Sequence, residues 1–417
     1  MPHPDILERF MSYVRIDTQS CEGSETFPST SKQVNLAIKL KKELEDLGIK
    51  DVIVNEWGYL LATVATNVKR PTPTIALIAH VDTSPDVSGT DVKPVIHCNY
   101  DGGDIVLNEA EGVVIKAAEN PYLQGKTGRT IITSDGTTLL GADDKAGIAA
   151  IMDAITFLLS HPDVPRPTMR IVFTPDEETG RGVEHISVDD IKADYGYTVD
   201  GEKLGDIEDE TFCAESLEIK IKGINVHPGQ AKDKMVNAVK IAAAIVSALP
   251  KDRMSPETTE KREGYVHPYQ ISGGVEEVTL KMLNRDFTET GLEEKKAFLR
   301  EAIASVQASY PRAKIEFKVI PSYRNMKVVL DQYPLVLQKA EEAVRQASLT
   351  PERSLIRGGT DGARLSFMGL PTPNLFTGGA NFHAKTEWIA LEDMQKASEV
   401  LVNLMRLWAA EKPPVKK

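Results

Sequence analysis

Residues 139–147 read LLGADDKAG. An apolar pair runs into a glycine, two adjacent carboxylates follow, and then a lysine and a second glycine. Residues 148–159, IAAIMDAITFLL, continue with helical spacing. The stretch therefore reads as strand or loop, tight turn, then helix, with Asp143 and Asp144 at the turn. Two readings of that pair stand side by side. An Asp ahead of a helix caps free N–H groups. Two neighbouring carboxylates also repel each other unless a cation or a strong donor set holds them. A carboxylate shared by two metal ions is one arrangement that does so.

Outward from this turn, strand-like and helical segments alternate. Residues 74–79 (TIALIA) form a continuous apolar run, as expected of a strand buried on both faces, and end in His80-Val81-Asp82. Residues 169–173 (MRIVF) end in Thr174-Pro175-Asp176-Glu177-Glu178, and residues 196–199 end in Asp200-Gly201. Leu36, Leu40, Leu44 and Leu47 mark a helix stopped by Gly48, with Ser29, Thr30 and Ser31 as candidate caps. This alternation predicts an α/β fold with a mixed, largely parallel sheet flanked by helices. Residues 84–134, short apolar runs broken by Gly and Asp, read as an irregular β insertion at the surface.

The pattern changes after residue 211. Leu217, Ile219 and Ile221 alternate with Glu218, Lys220 and Lys222, the mark of a strand with one wet face. Helical spacing at 235–249, a strand at 278–283, a helix at 288–308 and a strand at 314–319 complete an inserted α+β module. From Tyr333 the α/β character returns, with a last helix over 391–410. The expected domains are 1–211 (catalytic, first part), 212–325 (insert) and 326–417 (catalytic, second part). A Pro/Lys tail from Lys412 reads as frayed.

The 417 residues are too many for one ordinary core, which agrees with this division. Hydrophobic content of 41% and charged content of 26% are those of a soluble globular protein. A net charge of −12 argues against a nucleic-acid partner, which needs a basic face. No uncharged apolar run reaches ~18 residues, so no membrane partner is expected. Cys21, Cys98 and Cys213 form no disulfide framework or CxxC motif, and with no secretory leader in sight they fit a reducing cytoplasm.

His80, Asp82, Glu177, Glu178 and Asp200 all follow strand-like runs. In an open α/β sheet the ligand crevice lies outside the C-terminal strand ends. Carboxylates and a histidine converging there need cations to stay charged and dry. Asp143 and His383, each in a glycine-flanked loop, complete the set. Asp82, two residues beyond His80, is placed to accept the ring N–H that a metal-bound His leaves free. Glu177 and Glu178 face different directions in extended backbone, so one can bind metal while the other serves as general base. The bland readings are an unrelated loop His and Asp, and a solvated acidic turn.

At this point the chain resembles the co-catalytic dinuclear zinc exopeptidases, and among them the tripeptide aminopeptidases. The resemblance spans nearly the whole chain. AHVDTSPD (79–86), LLGADDKAG (139–147), FTPDEE (173–178), YTVDG (197–201), NVHPG (225–229), RGGTDGA (357–363) and NFHAKTE (381–387) carry it. Each is weak alone, but together, in order, they are specific. The resemblance implies a zinc exopeptidase catalytic domain with an inserted lid, and two Zn2+ ions per subunit, with Co2+ or Mn2+ as substitutes. It implies that His80, Asp143 and Asp200 hold one metal, and that Asp143, Glu178 and His383 hold the other. Glu177 matches the general base and Asp82 the residue orienting His80. His227 and Arg285 in the lid, and Arg357 in the catalytic domain, match substrate-binding positions. Ala384 stands where these enzymes usually have glycine, and Thr386 where they often have histidine.

The expected activity is zinc-dependent release of the N-terminal residue from short peptides, most of all tripeptides. The alternatives are a carboxypeptidase, dipeptidase or N-acyl amino acid deacylase of the same fold, or a non-catalytic peptide-binding protein. Retention of Glu177 argues against the last. The sequence leaves oligomeric state open. On its own residues His227, before Pro228-Gly229, reads as a turn histidine, and Arg285 as a surface ion-pair partner, the usual fate of arginines.

Overall fold

The computed structural model describes residues 5–414, so the first four residues and the end of the Pro/Lys tail lie outside the described part. The chain forms two compact units. The first comprises Met1–Asp209, Val328–Ser354 and Thr360–Lys417; the second comprises Glu210–Lys327 and Leu355–Gly359.

The first unit is built on an eight-stranded sheet. Its order is Val52–Val54, Leu60–Val64, Thr168–Thr174, Thr74–His80, Tyr195–Gly201, Asn374–Phe376, Asp206–Thr211 and Glu352–Ile356. Strand Thr74–His80 pairs in parallel with Thr168–Thr174 on one side and Tyr195–Gly201 on the other, and Asn374–Phe376 continues the parallel run. Pairing turns antiparallel on either side of these four. All of Thr74–His80 beyond its first residue is buried, as its unbroken apolar sequence requires.

Helix Ala142–Ser160 packs against strands Thr74–His80 and Tyr195–Gly201 and against helix Leu391–Ala409. Its sequence is apolar on nearly every side, and it is buried accordingly. Asp153, a charge on this buried helix, accepts the Ser398 hydroxyl at 2.6 Å. Gly147 allows the close approach to the sheet: a Cβ there would lie 1.8 Å from the Val199 carbonyl oxygen.

The 84–134 region is less peripheral than its composition suggests. Strand Ile131–Thr133 is wholly buried and pairs with Trp388–Ala390 and with Val95–His97 in a second sheet. Helix Gln33–Asp46 starts from Lys32 with no side-chain cap. Ser29 is spent elsewhere, its N–H and hydroxyl both donating to Asp176.

The second unit holds a four-stranded antiparallel sheet in the order Tyr265–Gly273, Glu277–Asp286, Cys213–Lys222, Lys314–Tyr323. Leu217, Ile219 and Ile221 line its inner face against helices Ala238–Ser247 and Glu289–Ser309. Asn237 caps the first helix by accepting the N–H groups of Val239 and Lys240, so the helix starts later than its apolar pattern. Strand Tyr265–Gly273 has no sequence signal because it is an edge strand. Most of it is exposed, and Pro268 is tolerated there beside a register shift. Among the described residues no helix is long and apolar enough to cross a membrane.

Candidate metal centre

Parallel pairing brings the C-terminal ends of three strands to one edge. His80 pairs with Thr174, and Ile78 with Thr198, so Asp200 comes level with His80 and the Asp176–Glu178 turn follows directly. His80 Nε2 lies 2.8 Å from Asp143 Oδ1 and 3.5 Å from Asp200 Oδ1. His383, on a loop with a left-handed backbone (φ 60°), places Nε2 at 2.8 Å from Glu178 Oε2 and 3.2 Å from Asp143 Oδ2. Asp143 thus turns one oxygen to each histidine.

Asp82 is fully buried and organises the neighbouring turn. Its Oδ1 lies 3.3 Å from His80 Nδ1 and accepts the Glu177 N–H at 3.0 Å; its Oδ2 accepts the Glu178 N–H at 3.2 Å. Asp176, just before, has φ 57°, a conformation that costs a non-glycine residue energy. The turn is held by donors to the Asp176 carboxylate from Ser29 and Gln33, and by its own N–H to Gln33 Oε1. Glu178 is directed at His383, whereas the Glu177 carboxylate forms no side-chain hydrogen bond among the described residues.

The two readings of the Asp143-Asp144 pair divide between the residues, which are joined by a cis peptide bond. Asp144 plays the cap, accepting the Gly147 N–H at 3.2 Å and, across to the sheet, the His80 N–H at 3.1 Å. Asp143 faces the histidines. Both have non-helical backbone inside the first turn of their helix. Among the described residues, two groups of donor atoms lie close enough to hold an ion: His80, Asp144 and Asp200, and His80, Asp143 and Glu178. Asp144 is an addition to the residues expected from sequence, and the doublet itself was its only signal.

The electrostatics suit cations. Burial, with repulsion from Asp143, pushes the Asp200 carboxyl up to about 7. Burial and the same neighbour push Glu178 up to about 8. Glu177 is raised well above the usual carboxylate range by burial, against the attraction of His80 and with the repulsion of Asp361, Asp200 and Glu178. Burial would lower His383, but hydrogen bonds to Asp143 and Glu178 outweigh it and raise the imidazole to about 12. Burial would raise Asp143, and hydrogen bonds from His383 and His80 instead hold it below its usual value. In this cluster Glu178 Oε1 is buried with no hydrogen-bond partner among the described residues. Clustered imidazoles and carboxylates with such an orphan acceptor fit one or two divalent ions, which would replace the protons and relieve the repulsion.

A cavity of about 640 Å³ opens beside Asp143 and His383, lined also by Tyr122, Glu202, Asn381 and Phe382. It is large enough for a small peptide. The other expected residues belong to the second unit. His227 is exposed, and its Nδ1 accepts the Gly229 N–H at 3.2 Å. Arg285 stacks its guanidinium over Tyr323 at 5.1 Å, with Nη1 buried and unpartnered. Arg357 groups with this unit too. It donates to the carbonyls of Thr259, Lys261 and Glu263 and lies over the rings of Phe212 and Tyr265.

Sequence reasoning also passed over Asp86, 3.3 Å from His383 Nδ1, and Glu387, although both stand inside stretches it singled out.

Residues 134–407 match the family described as Peptidase family M20/M25/M40. A curated relative named Peptidase T, from Caldanaerobacter subterraneus subsp. tengcongensis, is 47% identical over 403 residues, 97% of this chain and 98% of its own. A Peptidase T of Bacillus pumilus is 46% identical over 404 residues, 97% of this chain and 98% of its own. Among solved structures, the aminopeptidase PepT of Bacillus cereus superposes with a TM-score of 0.75 at 25% identity, covering 99% of this chain and all of the other. A Staphylococcus aureus tripeptidase gives 0.76 at 23% identity and the same coverage, a likeness of fold.

Proposed function

The chain belongs to peptidase family M20/M25/M40, and from that premise we propose that it is an aminopeptidase releasing the N-terminal residue of tripeptides with two metal ions. The relatives named Peptidase T, near half identical over almost the full length, support the activity. The observation that carries the two-metal reading is Asp143, whose two oxygens are divided between His80 and His383.

In this reading His80, Asp143 and Asp200 hold one ion, and Asp143, Glu178 and His383 the other. Asp144, though close to His80 and Asp200, has both oxygens on backbone N–H groups and supports the turn. Mixed imidazole and carboxylate donors suit Zn2+, with Co2+ or Mn2+ as substitutes. Two ions held there would supply a water of lowered pKa and polarisation of the peptide carbonyl. Glu177, whose carboxylate forms no side-chain hydrogen bond among the described residues, takes the proton of the attacking water and delivers it to the departing amine. Asp82 fixes the ring of His80 and the backbone of Glu177 together. Residues 212–325 are assigned as the lid domain, and His227 and Arg285 within them as substrate-binding residues. Arg357 contributes only by exchanging its present carbonyl acceptors for substrate. Exposed free cysteines at positions 21 and 98 support a reducing cytoplasm as the setting.

The test is metal analysis of the purified protein together with hydrolysis of Ala-Ala-Ala, its N-acetylated form and acylated amino acids. Release of free alanine and Ala-Ala from the tripeptide alone, with two metals per chain, is expected. Preferential cleavage of the acylated amino acids would replace this reading with a deacylase, and release of free alanine from the N-acetylated tripeptide would replace it with a carboxypeptidase.

A further inference from the structure

Glu387 lies four residues beyond His383 and is 1% exposed. Its carboxylate points at the Asp143 turn. Oε2 accepts the N–H groups of Leu140 and Gly141, each at 2.7 Å, and Oε1 accepts the Asp143 N–H at 3.0 Å. Three amides of one turn therefore converge on one side chain, 244 residues away from Asp143 in sequence.

The far side of Glu387 is anchored to the His383 loop. Its own N–H donates to the Ala384 carbonyl at 3.1 Å. Asn381 Nδ2 donates to the Thr386 carbonyl at 3.1 Å, closing the loop. Trp388, next in the chain, is buried in the strand that pairs with both Ala380 and Thr133. One carboxylate thus ties the backbone carrying Asp143 to the backbone carrying His383. The other half of the centre, His80 and Asp200, is held by the main sheet and has no bond to Glu387.

We infer that Glu387 is a positioning residue that sets Asp143 against His383, so that the metal position at Glu178 and His383, with two of its ligands on the tied segments, depends on it more than the position at His80 and Asp200, which shares only Asp143. The inference rests on the two-metal reading above. Partners of this kind, one step removed from a metal, typically change affinity about 10–100-fold.

The experiment uses the full-length protein and its Glu387→Gln and Glu387→Asp variants. Zn2+ affinity is read in two steps by competition with a chelator, beside thermal melting and kcat and KM for Ala-Ala-Ala. In Glu387→Gln, the amide nitrogen must meet at least one backbone N–H, so the turn loses its grip on that side. The expected result is a loss of about 10–100-fold in one zinc step, with a clearly smaller loss in the other, which shares only Asp143 with it. At saturating zinc kcat falls while KM stays within about twofold. Glu387→Asp keeps the charge and should recover part of the lost affinity. If Glu387→Gln does not fold, Glu387→Asp is read alone against the same single-step criterion.

Equal loss in both zinc steps, in parallel with the melting temperature, makes Glu387 a general structural staple and overturns the inference. So do wild-type zinc steps and kcat in the variants. Wild-type protein that binds fewer than two zinc ions removes the reading on which the inference stands, and is distinguished by needing no variant at all.

Discussion

The Asp82 carboxylate accepts the backbone N–H of Glu177 at 3.0 Å while the same oxygen lies 3.3 Å from His80 Nδ1. The proposed base and a proposed ligand therefore share one oxygen atom, and the Asp82 backbone carbonyl, 3.1 Å from His80 Nδ1, is a second partner for the ring. His80 leaves the end of one strand and Glu177 follows the end of its parallel neighbour, so Asp82 also locks the register of the two strand ends where the chemistry would occur.

Asp82→Ala should accordingly do two things. Metal affinity should weaken by roughly 10–100-fold, as for other partners of a metal-bound histidine. Stability should fall by about 2–5 kcal/mol, because the N–H groups of Glu177 and Glu178 lose a buried acceptor. Chelator competition and denaturant unfolding measure the two effects separately. Total loss of metal would mean that Asp82 is itself a ligand.

Much of this arrangement was legible in sequence where an apolar run ends in a charged residue, as at His80 and Asp200. A buried strand needs a continuous apolar stretch, and the polar residues after it stand out. Glu387 was not legible because its partners are backbone N–H groups, which leave no trace in side-chain pattern. Asp144 was not separable from Asp143 because the choice of which carboxylate caps the helix is made by backbone geometry. Strand Tyr265–Gly273 was missed for a third reason: an edge strand exposed on most of its length carries no hydrophobic period.

In the second unit, His227→Ala and Arg285→Ala should lower kcat/KM with metal content unchanged. Arg285 keeps a buried, unpartnered Nη1, a donor suited to a peptide oxygen. Loss of a donor that stabilises a developing oxyanion typically costs about 10²–10³ in rate. Circular dichroism would establish that the variants fold. Wild-type turnover in both would remove these residues from the substrate site.

Metal binding should release protons at pH 7. Hydrogen bonds to Asp143 and Glu178 raise His383 to about 12 and burial raises its partner Glu178, so the pair carries a proton there before an ion enters. A metal ligand must be a neutral imidazole or an ionised carboxylate, so the proton leaves as the ion binds. Affinity should therefore rise as pH rises. Calorimetric titration of Zn2+ into chelator-treated protein, in buffers of different ionisation enthalpy, counts the protons. No dependence on buffer would show that the imidazole is already neutral.

The decisive separation is between the two neighbouring glutamates. Glu178 turns Oε2 to His383 at 2.8 Å, and its Oε1 is buried without a partner among the described residues. Glu178→Ala removes that oxygen, so one ion should bind weakly and be lost on dialysis. Glu177 has its backbone fixed by Asp82 and its carboxylate free of side-chain hydrogen bonds among the described residues. Glu177→Ala should keep both ions and lose about 10²–10⁴ in rate, the span typical of general acid–base catalysis. Glu177→Gln is the sharper form, since the amide keeps size and hydrogen bonding but takes no proton. It should bind tripeptides with near wild-type affinity while hardly turning them over. Metal content and rates of the two alanine variants, measured side by side, decide between the assignments. Loss of an ion from Glu177→Ala and not from Glu178→Ala would exchange the roles, and wild-type rates in both would place the chemistry elsewhere in the molecule.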